Sequence, residues 1–331
     1  MHPGGCIQSI ALSISLSVLD QSPIPAGSSA GDALRNTIDL AQLADSLGYR
    51  RYWLAEHHGA ASLACASPEV MIGPVAAATK RIRVGSGGIM LPHYSPLKVA
   101  ETFGMLASMF PGRIDLGIGR AAGTSPRVSH ALQRERRMPP VDDFTEQLSE
   151  LRDYFADARP GIPFRFEAPP VWLLGSSEQS AIWAAELGLP YAFADFINPE
   201  GAGSAAYYRS HCAKPETAVA IAAICAETDD EAMRLSASVR MALIHLFRGR
   251  SIPVPPPDEA LEFLSCEGIP ISLQPVGRRF VTGSPATVKR SIEKIAEEYG
   301  AGEVLVLTVV HDHAARRRSY ELIAKEFGPG V

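Results

Sequence analysis

Short apolar runs alternate along the chain with longer segments in which apolar residues recur every three or four positions. The runs at 12–19, 51–55, 82–84, 114–118, 171–174, 191–194, 218–225 and 304–308 read as strands. Ala218 to Cys225 is almost continuously apolar, as a strand buried on both faces is. Between them lie helical stretches. Leu34, Ile38, Ala41 and Ala44 form the buried stripe of a helix over 30–47 that ends at Gly48. Ser67-Pro68, Ser95-Pro96 and Ser284-Pro285 each place a capping serine before a proline suited to the first helical position. Further helices are predicted over 142–155, from Ser176-Ser177 to Gly188, over 203–212 and 229–247, and from about Asp312. Pro74 should kink or restart the helix that begins at Ser67.

Eight strands alternating with helices predict an α/β chain folded as one (β/α)8 TIM barrel over residues 1–331, with ligands at the carboxyl ends of the strands. Two stretches break the rhythm. Gly161 to Pro170 is polar with interspersed aromatics and reads as a small hairpin. Residues 250–281, with Pro253, Pro255, Pro256 and Pro257, read as a stiff, non-helical, lid-like insertion between the seventh and eighth strands, mobile without ligand. Residues 1–11 read as a short leader.

Composition narrows the classes. Hydrophobic residues make up 46% and charged residues 20%, which supports a large core and excludes disorder. Lys+Arg 31 against Asp+Glu 36 leaves the chain at −5, which argues against nucleic-acid binding. Arg134–Arg137 and Arg316–Arg318 are short and read as solvated helix surface. The five cysteines are scattered without a C-x-x-C pair, so neither a disulfide framework nor a zinc site is expected, and a cytoplasmic setting fits. The N-terminus lacks the basic start of a signal peptide, and nowhere is there an apolar run long enough to span a membrane.

Candidate chemistry gathers just past the strands. Glu56-His57-His58 follows the second strand; neighbouring strand residues point to opposite faces, so the two histidines do not easily share one metal ion. Core packing of one imidazole with a loop hydrogen bond for the other, and a general acid/base role, are about equally favoured on spacing alone. Gly117-Ile118-Gly119 to Gly123 is a G-x-G-x-x-x-G, a weak dinucleotide match; small residues at close backbone approaches explain it better. Arg120 is placed to bind an anion or to pair with Asp115. Ser176, Ser177 and Ser180 crowd the start of a helix, either as an ordinary cap or as a phosphate site with Arg120 as counter-charge.

The segments LSVLDQSPI, WLAEHHG, RIRVGSGGIMLPHYSPLKVAE, PGRIDLGIGRAAG, LLGSSEQSAIWAAELGLPYAF and DHAARRRSYELIA, in that order, resemble the bacterial-luciferase-like family of flavin-dependent monooxygenases. The resemblance implies a TIM barrel that binds reduced FMN, with Gly87-Gly88 a cis peptide against the ring. It implies that Arg120, Ser176, Ser177 and Ser180 hold the FMN phosphate, and that His57, with Glu56 or a backbone group fixing its tautomer, acts in catalysis. The expected reaction uses reduced FMN and O2, through a flavin C4a-hydroperoxide, to oxidise a small organic substrate, aldehyde-like or other. A separate flavin reductase and a homodimer are further expectations. The alternatives are an F420-dependent hydride-transfer enzyme and a non-catalytic flavin-binding protein. Substrate-facing residues are expected from Gln21–Ala26, Ala60–Ala66, Asp195–Pro199 and the proline-rich segment. The chain departs from luciferase in having Gly119 at the reactive cysteine and Ser176 at a glutamate.

Overall fold

The computed structural model of this chain describes residues 14–120, 125–132 and 142–328. The leader, Leu12, Gly123 and the Arg134–Arg137 cluster lie outside the described residues. The first half runs β1 (Ser15–Asp20), α1 (Ala30–Leu47), β2 (Arg51–Leu54), α2 (Pro68–Ala78), β3 (Arg83–Ser86), β4 (Ile89–Met90), α3 (Pro96–Met109), β5 (Ile114–Gly119), α4 (Pro126–Leu132) and α5 (Phe144–Phe155). The second half runs β6 (Val171–Gly175), α6 (Glu178–Leu187), β7 (Tyr191–Ala194), α7 (Ala202–His211), β8 (Thr217–Cys225), α8 (Asp229–Phe247), α9 (Pro257–Cys266), β9 (Phe280–Gly283), α10 (Pro285–Tyr299), β10 (Glu303–Leu307) and α11 (His313–Phe327).

Eight parallel strands close on themselves in the order β10-β1-β2-β3-β5-β6-β7-β8, with β8 pairing back to β10. This is the (β/α)8 TIM barrel that the alternation predicts. Its helices start and stop where the sequence signals: Pro68, Pro96 and Pro285 occupy first helical positions, and Gly48, Gly188 and Gly300 close α1, α6 and α10 in the left-handed conformation. The interior is layered. Leu19, Trp53, Trp172, Ala192, Ala220 and Leu305 pack inside the strands, while a larger cluster joins the strands to the helices outside.

Four expectations change. The 250–281 insertion is not a wholly irregular lid. Pro257 is the first residue of α9, which packs on α8, and Phe280 opens β9. A proline at that position starts a helix instead of preventing one. β9 exists because β8 is nine residues long: Ala218–Ala222 face β10, and Ala222–Cys225 run on to pair with Phe280–Gly283. Gly161–Pro170 forms turns and no hairpin strands. The α2 helix runs on through Pro74. Arg316, read as solvated, is 2% exposed and donates to Asp20 Oδ1 at 2.6 Å; Arg317 and Arg318 keep to the outer face.

Candidate active site

Two cavities meet at the carboxyl end of the barrel. The first, about 460 Å³, lies over the strand ends and is bounded by Leu19, Trp53, Gly87-Gly88, Arg120, Ser176-Ser177 and Trp183. The second, about 680 Å³, opens between α8 and the loops at 58–63, 249–254 and 278–280. Gln21, His57, Phe196 and Ile197 line both, so the chambers share one wall. Each of the four segments expected to face substrate contributes to the second chamber, among them Gln21, Ala60, Phe196 and Val254.

The floor of the first chamber is shaped by glycine. The chain leaves β3 at Ser86 and returns as β4 at Ile89, and the Gly87–Gly88 peptide between them is cis. A Cβ on Gly87 would fall 2.6 Å from Leu19 Cδ1, and one on Gly88 would fall 2.8 Å from the Gly117 carbonyl oxygen. Only glycine lets the backbone pass this close to both walls. Ser86 bridges the interruption, its hydroxyl donating to the Gly117 carbonyl at 2.8 Å and accepting from the Gly117 N–H at 3.0 Å.

The other end of the chamber is a helix N-terminus. Ser176 and Ser177 follow β6, and Ser177 caps α6 in an extended conformation without a side-chain cap bond. The first-turn N–H groups of α6 therefore face the chamber end with no serine hydroxyl on them, a site that favours negative charge. Asn198 Nδ2 donates to the Ser176 carbonyl at 3.0 Å and fixes the loop. Ser180 also lines the chamber, but its hydroxyl donates to the Ser177 carbonyl at 2.6 Å and shares a 2.8 Å hydrogen bond with Tyr191. It braces the cap, so the three-hydroxyl cluster expected from spacing becomes two hydroxyls and a strut.

Arg120 reaches the chamber rim from the end of β5. Its guanidinium lies 5.5 Å from the Trp183 ring centroid and pairs with Asp142 at 2.5 Å, with about half of the side chain exposed. The expected pairing with Asp115 does not occur. Asp115 sits at the opposite end of the same strand, where it accepts from Arg51, Arg83 and Trp53. Trp183 carried no sequence signal beyond helix composition, and Asn198 was marked only as part of the Asp195–Pro199 loop expected to face substrate.

The two histidines part company. Glu56, fully buried, accepts from the Met90 N–H at 2.9 Å and meets His58 Nε2 at 2.7 Å. Of the two groups expected to fix the His57 tautomer, Glu56 or a backbone group, Glu56 is engaged by His58 and Met90 instead. His57 is tied by its backbone N–H to the Cys65 carbonyl at 3.0 Å, and its ring enters the wall shared by both chambers. Its Nδ1 is buried with no hydrogen-bond partner. Burial, with a smaller push from His58, draws its pKa down to about 4, so a neutral imidazole faces the chambers at pH 7. No thiolate competes, because burial pushes the Cys65 thiol up to about 12.

Gln21 is aimed by a buried network below it. Burial alone would raise the Asp20 pKa, but Arg316 and the Tyr52 hydroxyl hold the carboxylate below its usual range. Asp20 in turn accepts from the Ser22 N–H at 2.6 Å and from the Thr37 hydroxyl at 2.8 Å. The flanking residues are thus clamped while Gln21 projects into both chambers.

Comparison with known proteins fits this geometry. The family described as luciferase-like monooxygenase matches residues 14–303. The N-acetyl-S-alkylcysteine monooxygenase of Bacillus subtilis (strain 168) is 37% identical over 331 residues, covering 94% of this chain and 97% of its own. The crystal structure of apo-MsnO8 superposes with a TM-score of 0.87 at 38% identity, over 96% of this chain and 99% of that one. A type II Baeyer-Villiger monooxygenase, the oxygenating constituent of 3,6-diketocamphane monooxygenase from Pseudomonas putida, was solved in complex with FMN. It shares the fold at a TM-score of 0.74 and 23% identity, over 96% and 99% of the two chains. The chain belongs to the luciferase-like monooxygenase family. No helix among the described residues is long and apolar enough to cross a membrane.

Proposed function

We propose that this member of the luciferase-like monooxygenase family binds reduced FMN in the first chamber and uses it with O2 to oxidise a small organic substrate held in the second. The observation that carries the reading is the pairing of the α6 N-terminus with Arg120 at one end of an apolar-walled chamber and the Gly87–Gly88 floor at the other. The residues fit the group. A volume of about 460 Å³ lies within the usual range for small-molecule and cofactor sites. A phosphate at Ser176-Ser177 would meet helix N–H groups, two hydroxyls and a guanidinium. The FMN complex of a protein of the same fold supports the same choice.

When bound, reduced FMN would supply the two electrons that activate O2, so that one oxygen atom passes to the substrate and the other leaves as water. The protein positions and shields. Leu19 and Trp53 line the chamber as apolar walls, and Trp172 packs against Trp53 beneath them, which leaves little room for water below the cofactor. The neutral His57, with a free Nδ1 in the shared wall, gives or takes a hydrogen bond where cofactor and substrate meet. Gln21, between the clamped Asp20 and Ser22, adds an amide at the same place. The relative named for N-acetyl-S-alkylcysteines supports a small organic substrate for this chain as well. The reading includes a separate flavin reductase, a cytoplasmic setting and a homodimer. The test is oxygen uptake by the purified protein with FMNH2 and a panel of thioethers, ketones and aldehydes, with reduced F420 as the comparison. Substrate-dependent uptake with FMNH2 is expected. Oxidation of reduced F420 alone, with no FMNH2-dependent uptake, would overturn the reading.

A further inference from the structure

Residues Arg278 and Arg279 are adjacent on the segment leading into β9, yet their surroundings differ. Arg279 is neutralised: its Nε meets both oxygens of the buried Asp195 at 3.2 Å, and its Nη1 meets Glu298 at 2.8 Å. Arg278 meets no carboxylate among the described residues. Its Nη1 donates to the carbonyls of Ile197 and Gly277, and its guanidinium lies 5.7 Å from the Phe247 ring centroid. The Ile197 and Phe247 contacts hold the head in place against the second chamber, whose wall it forms.

Among the described residues, that chamber has no other arginine or lysine and no acid in its lining. The remainder of its described lining is apolar, histidine, or uncharged polar, from Leu63 and Ile224 to Leu243 and Val309. A fixed positive charge facing an apolar space is costly unless something pairs with it. Partial burial draws the Arg278 pKa below the ordinary guanidinium value, and no anion among the described residues offsets it. A guanidinium with one edge tied to carbonyls keeps its remaining N–H groups for a planar, two-oxygen acceptor.

We propose that Arg278 anchors the substrate's carboxylate, so that the second chamber takes an organic acid with an apolar body and rejects its neutral counterpart. This assignment rests on reading that chamber as the substrate chamber of the oxygenase, and it adds the class of molecule admitted. Arg278 meets the carboxylate, while the apolar side chains of α8 and β8 meet the body. Because the wall with His57 and Gln21 joins the two chambers, a molecule held this way lies within reach of the first.

The probes are octanoate and octanamide, which match in length and head-group shape and differ in charge. Binding of each to the full-length protein is measured by calorimetry, without turnover, for the unaltered chain, Arg278→Gln and Arg278→Lys. Octanoate should bind the unaltered protein about tenfold or more tighter than octanamide. Arg278→Gln should lose about ten- to a hundredfold in octanoate affinity with octanamide hardly changed, and Arg278→Lys should recover part of the loss. Equal affinity for the two probes, no octanoate binding, or an equal loss of both in Arg278→Gln would overturn the assignment. Circular dichroism of the variants separates a folding defect from a binding one; if Arg278→Gln fails to fold, the comparison rests on Arg278→Lys and the two probes. Calorimetry needs no flavin, so failure of FMNH2-dependent oxygen uptake and failure of carboxylate selection are separate results.

Discussion

At the amino end of the barrel, Arg51 lies between two carboxylates. Its Nε meets Glu303 at 2.9 Å, its Nη1 meets Asp115 at 2.9 Å, and its guanidinium sits 4.6 Å from the Trp172 ring centroid. Ser17 donates to the same Glu303 at 2.5 Å, and Arg83 adds a second cation to Asp115. At the carboxyl end, His57 keeps a buried nitrogen without a partner, and Arg278 carries a charge without a carboxylate. Both ends belong to the same eight strands; at the first the buried charges are paired from within, although the Thr217 hydroxyl at the start of β8 is buried without a partner. A buried polar group left unpaired costs about 1–3 kcal/mol. At the mouth an incoming molecule can supply the partners that His57 and Arg278 lack, while the paired charges at the amino end hold the barrel together beneath it.

The largest effect should come from breaking the satisfied end. Arg51→Met removes the cation that two buried carboxylates share, and it should lower the free energy of unfolding by about 3–5 kcal/mol. Urea denaturation at pH 7 measures this. A change below about 1 kcal/mol would mean that Arg83 on Asp115 and Arg50, whose Nη1 lies 3.4 Å from Glu303, suffice, and that the contrast between the ends is weaker than drawn.

A smaller effect is expected at the mouth. The folded pKa of His57, about 4, lies below the ordinary histidine value near 6.5. The unfolded chain therefore takes up a proton first as pH falls through 6.5, and stability drops until the folded residue also protonates near 4. Between pH 7.5 and pH 5 the unaltered protein should lose about 2 kcal/mol more stability than His57→Gln, which has no such group. Parallel urea titrations at both pH values test this, and identical pH dependence would place His57 in a more hydrated setting.

Most of the barrel was legible in the sequence, because a buried parallel strand and an amphipathic helix each impose their own period. The Ser-Pro starts and glycine stops are local devices, and they stand where they were read. β9 was missed because Phe280–Gly283 has no period of its own; it is a strand only because the long β8 offers an edge to pair with. The clue was the length of β8, which exceeds what one neighbouring barrel strand covers. The proline run hid α9, since Pro253–Pro256 break a helix while Pro257 begins one. At the site, His57, Gly87-Gly88, Arg120 and Ser176-Ser177, all delivered by strand ends, line one chamber. The partners were harder. Asp115 faces away from Arg120, Glu56 serves His58, and Ser180 turns inward to Tyr191. Side-chain direction depends on tertiary neighbours that no spacing rule carries. Arg278 lay unnoticed for the same reason, as one arginine in a segment read as a lid.

The central claim is that the first chamber recognises a flavin by its phosphate. Anaerobic titration of reduced FMN and reduced riboflavin against the unaltered protein and Arg120→Ala tests it directly. FMN should bind about tenfold or more tighter than riboflavin. Arg120 is half exposed and already paired with Asp142, so its loss should weaken FMN by about tenfold only, and riboflavin hardly at all. Equal affinity of the unaltered protein for the two flavins, or equal losses for both in Arg120→Ala, would contradict the claim.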